Sequence, residues 1–206
     1  MPSEASLPLT ATVRLPRVRG LRVRGQILTR AAELASIDGL DQVSIGRLAT
    51  AMQMSKSGLY AYFTSKEDLQ LATIDCAWRV FEEHVLQPGD DAVEALLERW
   101  ISYYEREIFP GGCLFVTAGM EFANRDGPVH DALAAALERQ VAALEGAIAR
   151  AGAAGDDDAA SLSATDAGQV AFELHAVLTA GNQRFRISRD AAAFAHARAA
   201  IERLLA

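Results

Sequence analysis

The 206-residue chain is poor in cysteine, having only Cys76 and Cys113, and its four histidines, His84, His130, His175 and His196, stand apart from one another. Without a Cys/His cluster it has no zinc-type ligand spacing, and no metal or other cofactor is expected. The opening MPSEASLPLT lacks a basic start followed by an apolar stretch, so no export signal is expected there. Two thiols without such a signal argue against a disulfide framework and for a reducing cytoplasm. No apolar run approaches the roughly 20 residues of a membrane span. No segment has a convincing strand pattern, and no internal repeat is visible.

What remains is helical periodicity. Half of the residues are hydrophobic, enough for a substantial core, and the length suggests one or two domains. About nine helices can be read. In the first, Val23, Ile27, Ala31 and Leu34 share a face, and Asp38-Gly39 ends it. A fourth carries Leu71, Ile74, Trp78 and Phe81 or Val85 and stops at Gln87–Asp91. Asp91 can cap a fifth, striped by Val93, Leu96, Leu97, Trp100, Ile101, Tyr104 and Ile108 and broken at Phe109–Gly112. An apolar helix follows over Cys113–Ala123, ended by Asn124–Gly127. Pro128 suits the first position of a seventh, with Leu133, Leu137, Val141, Leu144 and Ile148. Ala151–Thr165 is an exposed connector. Val170, Leu174, Val177, Leu178 and Gly181 mark the eighth helix. Phe194, Ala197, Ile201, Leu204 and Leu205 mark the ninth.

The most informative stretch is SIGRLATAMQMSKSGLYAYF, Ser44 to Phe63, followed by TSKEDL. Ser44 is a good N-cap. Ile45, Leu48, Ala49 and Met52 then fall on one helical face. Gln53 and Met54 make a turn, and Ser55 caps a second short helix that begins Lys56-Ser57-Gly58. Leu59 and Phe63 point inward, and Tyr60 and Tyr62 project outward. The next helix starts within Thr64–Asp68, where Thr64-x-x-Glu67 and Ser65-x-x-Asp68 both fit a capping box. Lys66 in its first turn can neutralise a phosphate. This is how a helix-turn-helix presents one helix to the DNA major groove.

Charge agrees with that reading. Residues 1–66 hold nine Lys/Arg against four Asp/Glu, a net +5, and the remainder eleven against twenty-three, a net −12. A basic head on an acidic body is expected if only the head meets phosphate. Arg14, Arg17, Arg19, Arg22 and Arg24 add a basic run. The run is either an arm lying along the DNA or a disordered tail that adds general affinity.

Arg22 to about Asp75 resembles the DNA-binding domain of the tetracycline-repressor (TetR) family. The matching residues are Ser57-Gly58, Leu59-Tyr60, Ala61-Tyr62-Phe63 and Ser65-Lys66-Glu67, with a correctly phased helix before them. The resemblance implies double-stranded DNA as partner, with contacts from Ser44, Lys56, Ser57, Gly58, Tyr60, Tyr62 and Lys66. The cap residue Ser55 is placed in the same site. Gly46 departs from relatives that carry a longer side chain there. FPGGCLFVTAGMEFANRDGPV is similar to a segment of one large subgroup.

The resulting expectation is an all-α chain with three parts: a disordered basic arm over 1–19, a three-helix DNA-binding head over 20–78, and a ligand-binding and dimerisation body over 79–206. One recognition helix reads few base pairs, so a palindromic operator and a homodimer through the last two helices are expected. Small residues Ala171, Ala176, Ala180 and Gly181 suit that interface. For a small-molecule effector, Trp100, Tyr103, Tyr104, Phe115, Met120, Glu121, Asn124, Phe172 and His175 are the residue types a pocket uses. Glu121 stands out because it interrupts an apolar helix and needs a partner, which a cationic effector or Arg125 could supply. The rivals to a ligand-responsive repressor are a thiol-based redox sensor using Cys113 or Cys76, a helical adaptor, and an enzyme with Cys113 as nucleophile and His130 or His175 as base.

Overall fold

A computed structural model describes residues 15–87, 92–153 and 164–206. Among these the chain forms nine α-helices and no strand: α1 (Leu15–Asp38), α2 (Ile45–Met52), α3 (Lys56–Tyr60), α4 (Lys66–His84), α5 (Val93–Glu105), α6 (Leu114–Phe122), α7 (Pro128–Ala153), α8 (Ala164–Ser188) and α9 (Ala192–Leu205). A single 3₁₀ turn, Leu40–Gln42, joins α1 to α2.

The helix ends follow local chemistry. Gly39 at φ +94° stops α1 in a conformation that disfavours side chains. Ser65, not Thr64, caps α4, its Oγ accepting from the Asp68 N–H at 2.9 Å. The Asp68 carboxylate accepts in turn from the Thr64 N–H at 2.7 Å, so the box is shifted by one residue.

Head and body share one continuous core. In the head, Ile27, Ala31, Leu40, Leu48, Leu59, Phe63 and Leu69 are wholly buried. α4 carries that core into the body, where Phe81 meets Trp100 and Tyr103 edge-on at 4.9 and 5.6 Å. The acidic exterior of α5 is tied to α9 by Arg198, whose guanidinium is held by Glu98 and Glu105 through contacts of 2.6–2.9 Å.

The loop between α5 and α6 clasps the end of α1. The Gly111 N–H donates to Ser36 Oγ at 2.9 Å. A Cβ on Gly111 would lie 1.8 Å from the Ser36 carbonyl oxygen, so no other residue fits. Next to it, Gly112 at φ +88° lies against Arg186 of α8, which is ion-paired with Glu107.

Several boundaries differ from the sequence reading. α1 begins at Leu15, so residues 15–19 of the expected arm are helical, with Pro16 tolerated in the first turn. Residues 1–14 lie outside the described residues, as does Asp91 with the Pro88–Asp91 part of the breaker before α5. α5 stops at Glu105, short of Ile108, because Glu107 takes φ +45° and cannot continue the helix. Helices enter the expected connector from both sides, at Ala153 and Ala164, and residues 154–163 lie outside the described residues. Of the small residues on α8, Ala171 and Gly181 face inward. A Cβ on Gly181 would already sit 3.3 Å from Ala197 Cβ of α9, so this glycine serves packing within one chain.

Two glycines test the clasp. Gly111→Ala forces α1 and the loop apart and should destabilise by roughly 1–3 kcal/mol or more. Gly119→Ala in α6, where a Cβ meets nothing within 4 Å, should stabilise by roughly 0.5–1 kcal/mol. Urea unfolding midpoints measure both, and a Gly111→Ala protein as stable as the parent would refute the close approach.

Candidate nucleic-acid interface

The helix-turn-helix assembles from its caps. Ser44 Oγ accepts from the Arg47 N–H at 3.3 Å and starts α2. Gln53 takes φ 54° and turns the chain, and the Met54 N–H donates to the Ala49 carbonyl at 2.9 Å. Ser55 Oγ then accepts from the Gly58 N–H at 3.0 Å and starts α3. Leu59 and Phe63 are fully buried beneath it. Lys56, Ser57 and Tyr60 are left exposed on its outer side, Tyr60 at 58%. Tyr62, expected to project outward like Tyr60, is instead half-buried and packed against the core.

The serines thus spend their hydroxyls on backbone N–H groups. Ser44 and Ser55 position the site, the exposed Ser57 Oγ lies in hydrogen-bond contact with Ser55 Oγ at 3.1 Å, and Lys56 and Tyr60 turn their side chains outward toward a ligand. A Cβ on Gly58 would lie 3.1 Å from Ser55 Oγ, so glycine there lets the cap close. Gly46 also acquires a reason, since a Cβ there would lie 3.3 Å from Lys56 Cε. Its bareness lets the Lys56 chain lie across the start of α2.

Two features were not legible in the motif. Arg47 is exposed on α2 and ion-paired with Asp38 at the end of α1. Its signal was its place on the polar side of the Leu48-Ala49 stripe. Lys66 is also engaged, its Nζ 2.8 Å from Asp41 Oδ1, an oxygen that Arg125 of the body approaches to 3.1 Å. The Lys66 and Arg125 hydrogen bonds hold the Asp41 carboxyl below its usual range.

The residues read as an effector pocket separate into three groups. Trp100, Tyr103, Tyr104 and Phe115 are buried together around Phe81, and Trp100 Nε1 donates to Tyr104 Oη at 2.8 Å. His175 joins them, its ring 5.9 Å from that of Trp100. Asn124 is exposed, as are Met120 and Phe172, at 77% and 66%. Glu121 faces neither group. Its carboxylate accepts from the Leu40 and Asp41 N–H groups at 2.7 and 3.1 Å, and Arg125 pairs with Asp41 in its place. A separate groove of about 540 Å³ between α5 and α9 is lined by Leu97, Ile101, Ile201 and Leu205 with Glu94, Glu98 and Glu202 at its rim.

The thiols are quiet. Burial pushes Cys113 up to about 11 despite the helix N–H groups beside it, and burial also raises Cys76. Neither resembles the low-pKa thiolate of a nucleophile or sensor. No helix among the described residues is long and apolar enough to cross a membrane.

Residues 27–73 match the family described as "Bacterial regulatory proteins, tetR family". Residues 89–201 match "Tetracyclin repressor-like, C-terminal domain". Among solved structures, the chain is similar to a TetR transcriptional regulator from Chloroflexus aurantiacus (TM-score 0.77, 23% identity, covering 91% of this chain and 94% of that one). It is also similar to a TetR-family regulator from Cytophaga hutchinsonii (0.72, 21%, 89% and 93%). A third is the reduced form of E. coli NemR (0.69, 22%, 89% and 97%). At such identities the likeness establishes a shared fold. No curated relative matches the chain in sequence.

Two outcomes follow. Tyr60→Phe and Lys66→Ala should each weaken duplex binding without loss of dimer, and Lys66→Ala should flatten the dependence of log affinity on log salt by up to about 0.9. Dissociation of either variant into monomers on sedimentation would remove it from the exposed face. Separately, burial lowers the pKa of His175. The folded state then binds this proton less readily than the unfolded chain. The resulting stability is complete above about pH 6.5 and is lost as pH falls through the lower folded value. His175→Gln should flatten the stability profile across that window, and an unchanged profile would refute this contribution.

Proposed function

The chain belongs to the TetR family of bacterial DNA-binding transcriptional regulators, and on that premise we propose that it is a homodimeric repressor released from a palindromic operator by a small molecule, acting in the cytoplasm. The observation that carries the reading is α3: five residues, capped by Ser55, with Leu59 buried beneath and Lys56, Ser57 and Tyr60 exposed above. No reaction is assigned to the chain, and regulators of this family are generally not enzymes.

The dimer reading draws support from α8. Phe172, Ala176, Ala180 and Ile187 are all exposed along it, with Ile187 at 79%. They recur at spacings of four and seven, which keeps them on one side of a helix. An uncovered apolar stripe of this kind fits a second copy related by two-fold symmetry.

The effector reading draws support from polar groups left over in the body. The Tyr103 hydroxyl and the Gln140 amide nitrogen are buried without a hydrogen-bond partner among the described residues. Buried orphan donors are costly, and a bound molecule with acceptor atoms would satisfy them. Such a ligand acts by preferring the arrangement that does not fit DNA. Moving the balance from 1:99 to 99:1 takes a preference of about 5.5 kcal/mol. The thiol-sensor alternative loses ground to the full burial of Cys113 and the partial burial of Cys76, which raise both thiols, and the reduced state named for E. coli NemR does not transfer to them.

Selection from a pool of random duplexes, with salt varied on the winners, tests the reading. The expected result is a palindrome whose affinity falls steeply with salt. Recovery of no common sequence at low salt would count against it. Phe172→Asp and Ile187→Asp should shift the protein to monomer and abolish operator binding together, and a persistent dimer would move the interface elsewhere.

A further inference from the structure

The 3₁₀ turn Leu40–Gln42 is held from the body on two sides and from α4 on a third. Glu121 of α6 accepts from the Leu40 and Asp41 N–H groups at 2.7 and 3.1 Å, one carboxylate oxygen to each. Arg125, just past the end of α6, reaches Asp41 Oδ1 at 3.1 Å, and its guanidinium lies over Phe122 at 4.5 Å. Gln70 of α4 donates to the Leu40 carbonyl at 3.0 Å in a buried contact. The turn reaches Ser44, the cap of α2, through the single residue Val43, whose N–H donates to the Leu40 carbonyl at 3.1 Å, so whatever fixes the turn bears on the start of the helix-turn-helix.

Gly39 shapes the receptor for this carboxylate. Its φ of +94° turns two successive N–H groups toward α6, as in other backbone concavities that hold anions. A Cβ at Gly39 would lie 2.7 Å from Glu121 Oε1 and 3.1 Å from its Cδ. Glycine is therefore needed twice, for the backbone conformation and for the approach of the acid. Glu121 is the only acidic residue of α6, whose sequence is otherwise LFVTAGM and Phe122. Nothing in the packing of that apolar helix asks for a carboxylate.

We propose that Glu121 is a positioning residue for operator binding: its carboxylate, seated on the Gly39–Asp41 turn, fixes the angle of the DNA-binding head on the body and thereby the half-site spacing that the dimer accepts. The proposal rests on the DNA-binding dimer reading above. In a dimer, an error in head angle on each protomer becomes an error in the separation of two recognition helices, which must match one helical turn of DNA or a multiple of it. Charge-assisted hydrogen bonds to backbone are strong enough to hold such an angle.

The test uses the full chain, wild type beside Glu121→Gln and Gly39→Ala. Glu121→Gln keeps size but turns one acceptor into a donor facing an N–H. Gly39→Ala expels the carboxylate from the other side. Two readouts are taken on proteins first checked for unchanged dimer mass and helix content: hydrogen exchange of the Leu40 and Asp41 amides, which needs no DNA, and affinity for operators whose half-sites are one base pair closer or farther apart. The wild type should exchange slowly and favour one spacing by about tenfold, the discrimination a single mismatched base pair carries. Both variants should exchange faster and lose most of that preference, and combining them should add little. Unchanged exchange in Glu121→Gln overturns the proposal. So does faster exchange with the spacing preference intact, or an affinity loss equal at every spacing, and these results leave the DNA-binding reading standing. A wild-type protein that selects no duplex overturns that reading itself, whatever the amides do.

Discussion

One helix carries a single core from the head into the body, and the rest of the molecule is arranged around that fact. The first half of α4 buries Leu69 and Ala72 against the head, and the second half buries Trp78 and Phe81 in the body. A rigid element shared in this way transmits any rotation of its body end to its head end, because close-packed interiors shift between discrete arrangements and do not stretch. The remaining head–body contacts act on α1 and on the turn after it. Gly111 presses on Ser36, and α6 holds Leu40 and Asp41. The head is thus gripped at α4 and at the end of α1. Both grips lie away from α3, which leaves the exposed face of α3 free of structural duty.

The economy of the head lies in its serines. Three short or medium helices begin at Ser44, Ser55 and Ser65, and each hydroxyl accepts a backbone N–H three residues on. A helix of five residues such as α3 has little intrinsic stability. It persists because its cap is satisfied, because Gly58 lets that cap close, and because Leu59 and Phe63 anchor it below. Stability and presentation are divided between residues: those that hold α3 are spent inward, and those left outward are available to DNA.

This division explains what could be read from sequence. Caps, turns and apolar stripes are local, spanning three to eight residues, so α2, α3, their order and their buried and exposed sides were visible in Ser44–Phe63. The body helices were visible for the same reason, apart from ends fixed by distant partners. α5 ends where Glu107 turns aside to meet Arg186 and Arg189, about eighty residues away. The effector candidates fared worse because residue type does not give direction. Phe172 and Trp100 look alike as aromatics on apolar helices, yet one lies on the outside of α8 and the other is sealed in the core. Glu121 was conspicuous as an acid in an apolar helix, and the demand for a partner was sound. The partner was two peptide N–H groups, which no side-chain inventory can name.

The shared carboxylate of Asp41 bears on how the head can meet DNA. With Lys66 alone beside it, turning Lys66 toward a phosphate would leave Asp41 uncompensated next to an anionic duplex, a repulsion that opposes binding. Arg125 offsets that difficulty, since it touches the same oxygen independently of Lys66. Both side chains are more than two-fifths exposed, so each ion pair is weak by itself and exchange between partners is inexpensive. Arg125 also comes from the body, next to the helix that carries Glu121. A body arrangement that withdraws Arg125 from Asp41 would leave Lys66 as the sole counter-ion of that carboxylate, and Lys66 would then be less available to phosphate. The electrostatics of the DNA face and the seating of the head on the body are in this way the same problem, solved around one turn of three residues.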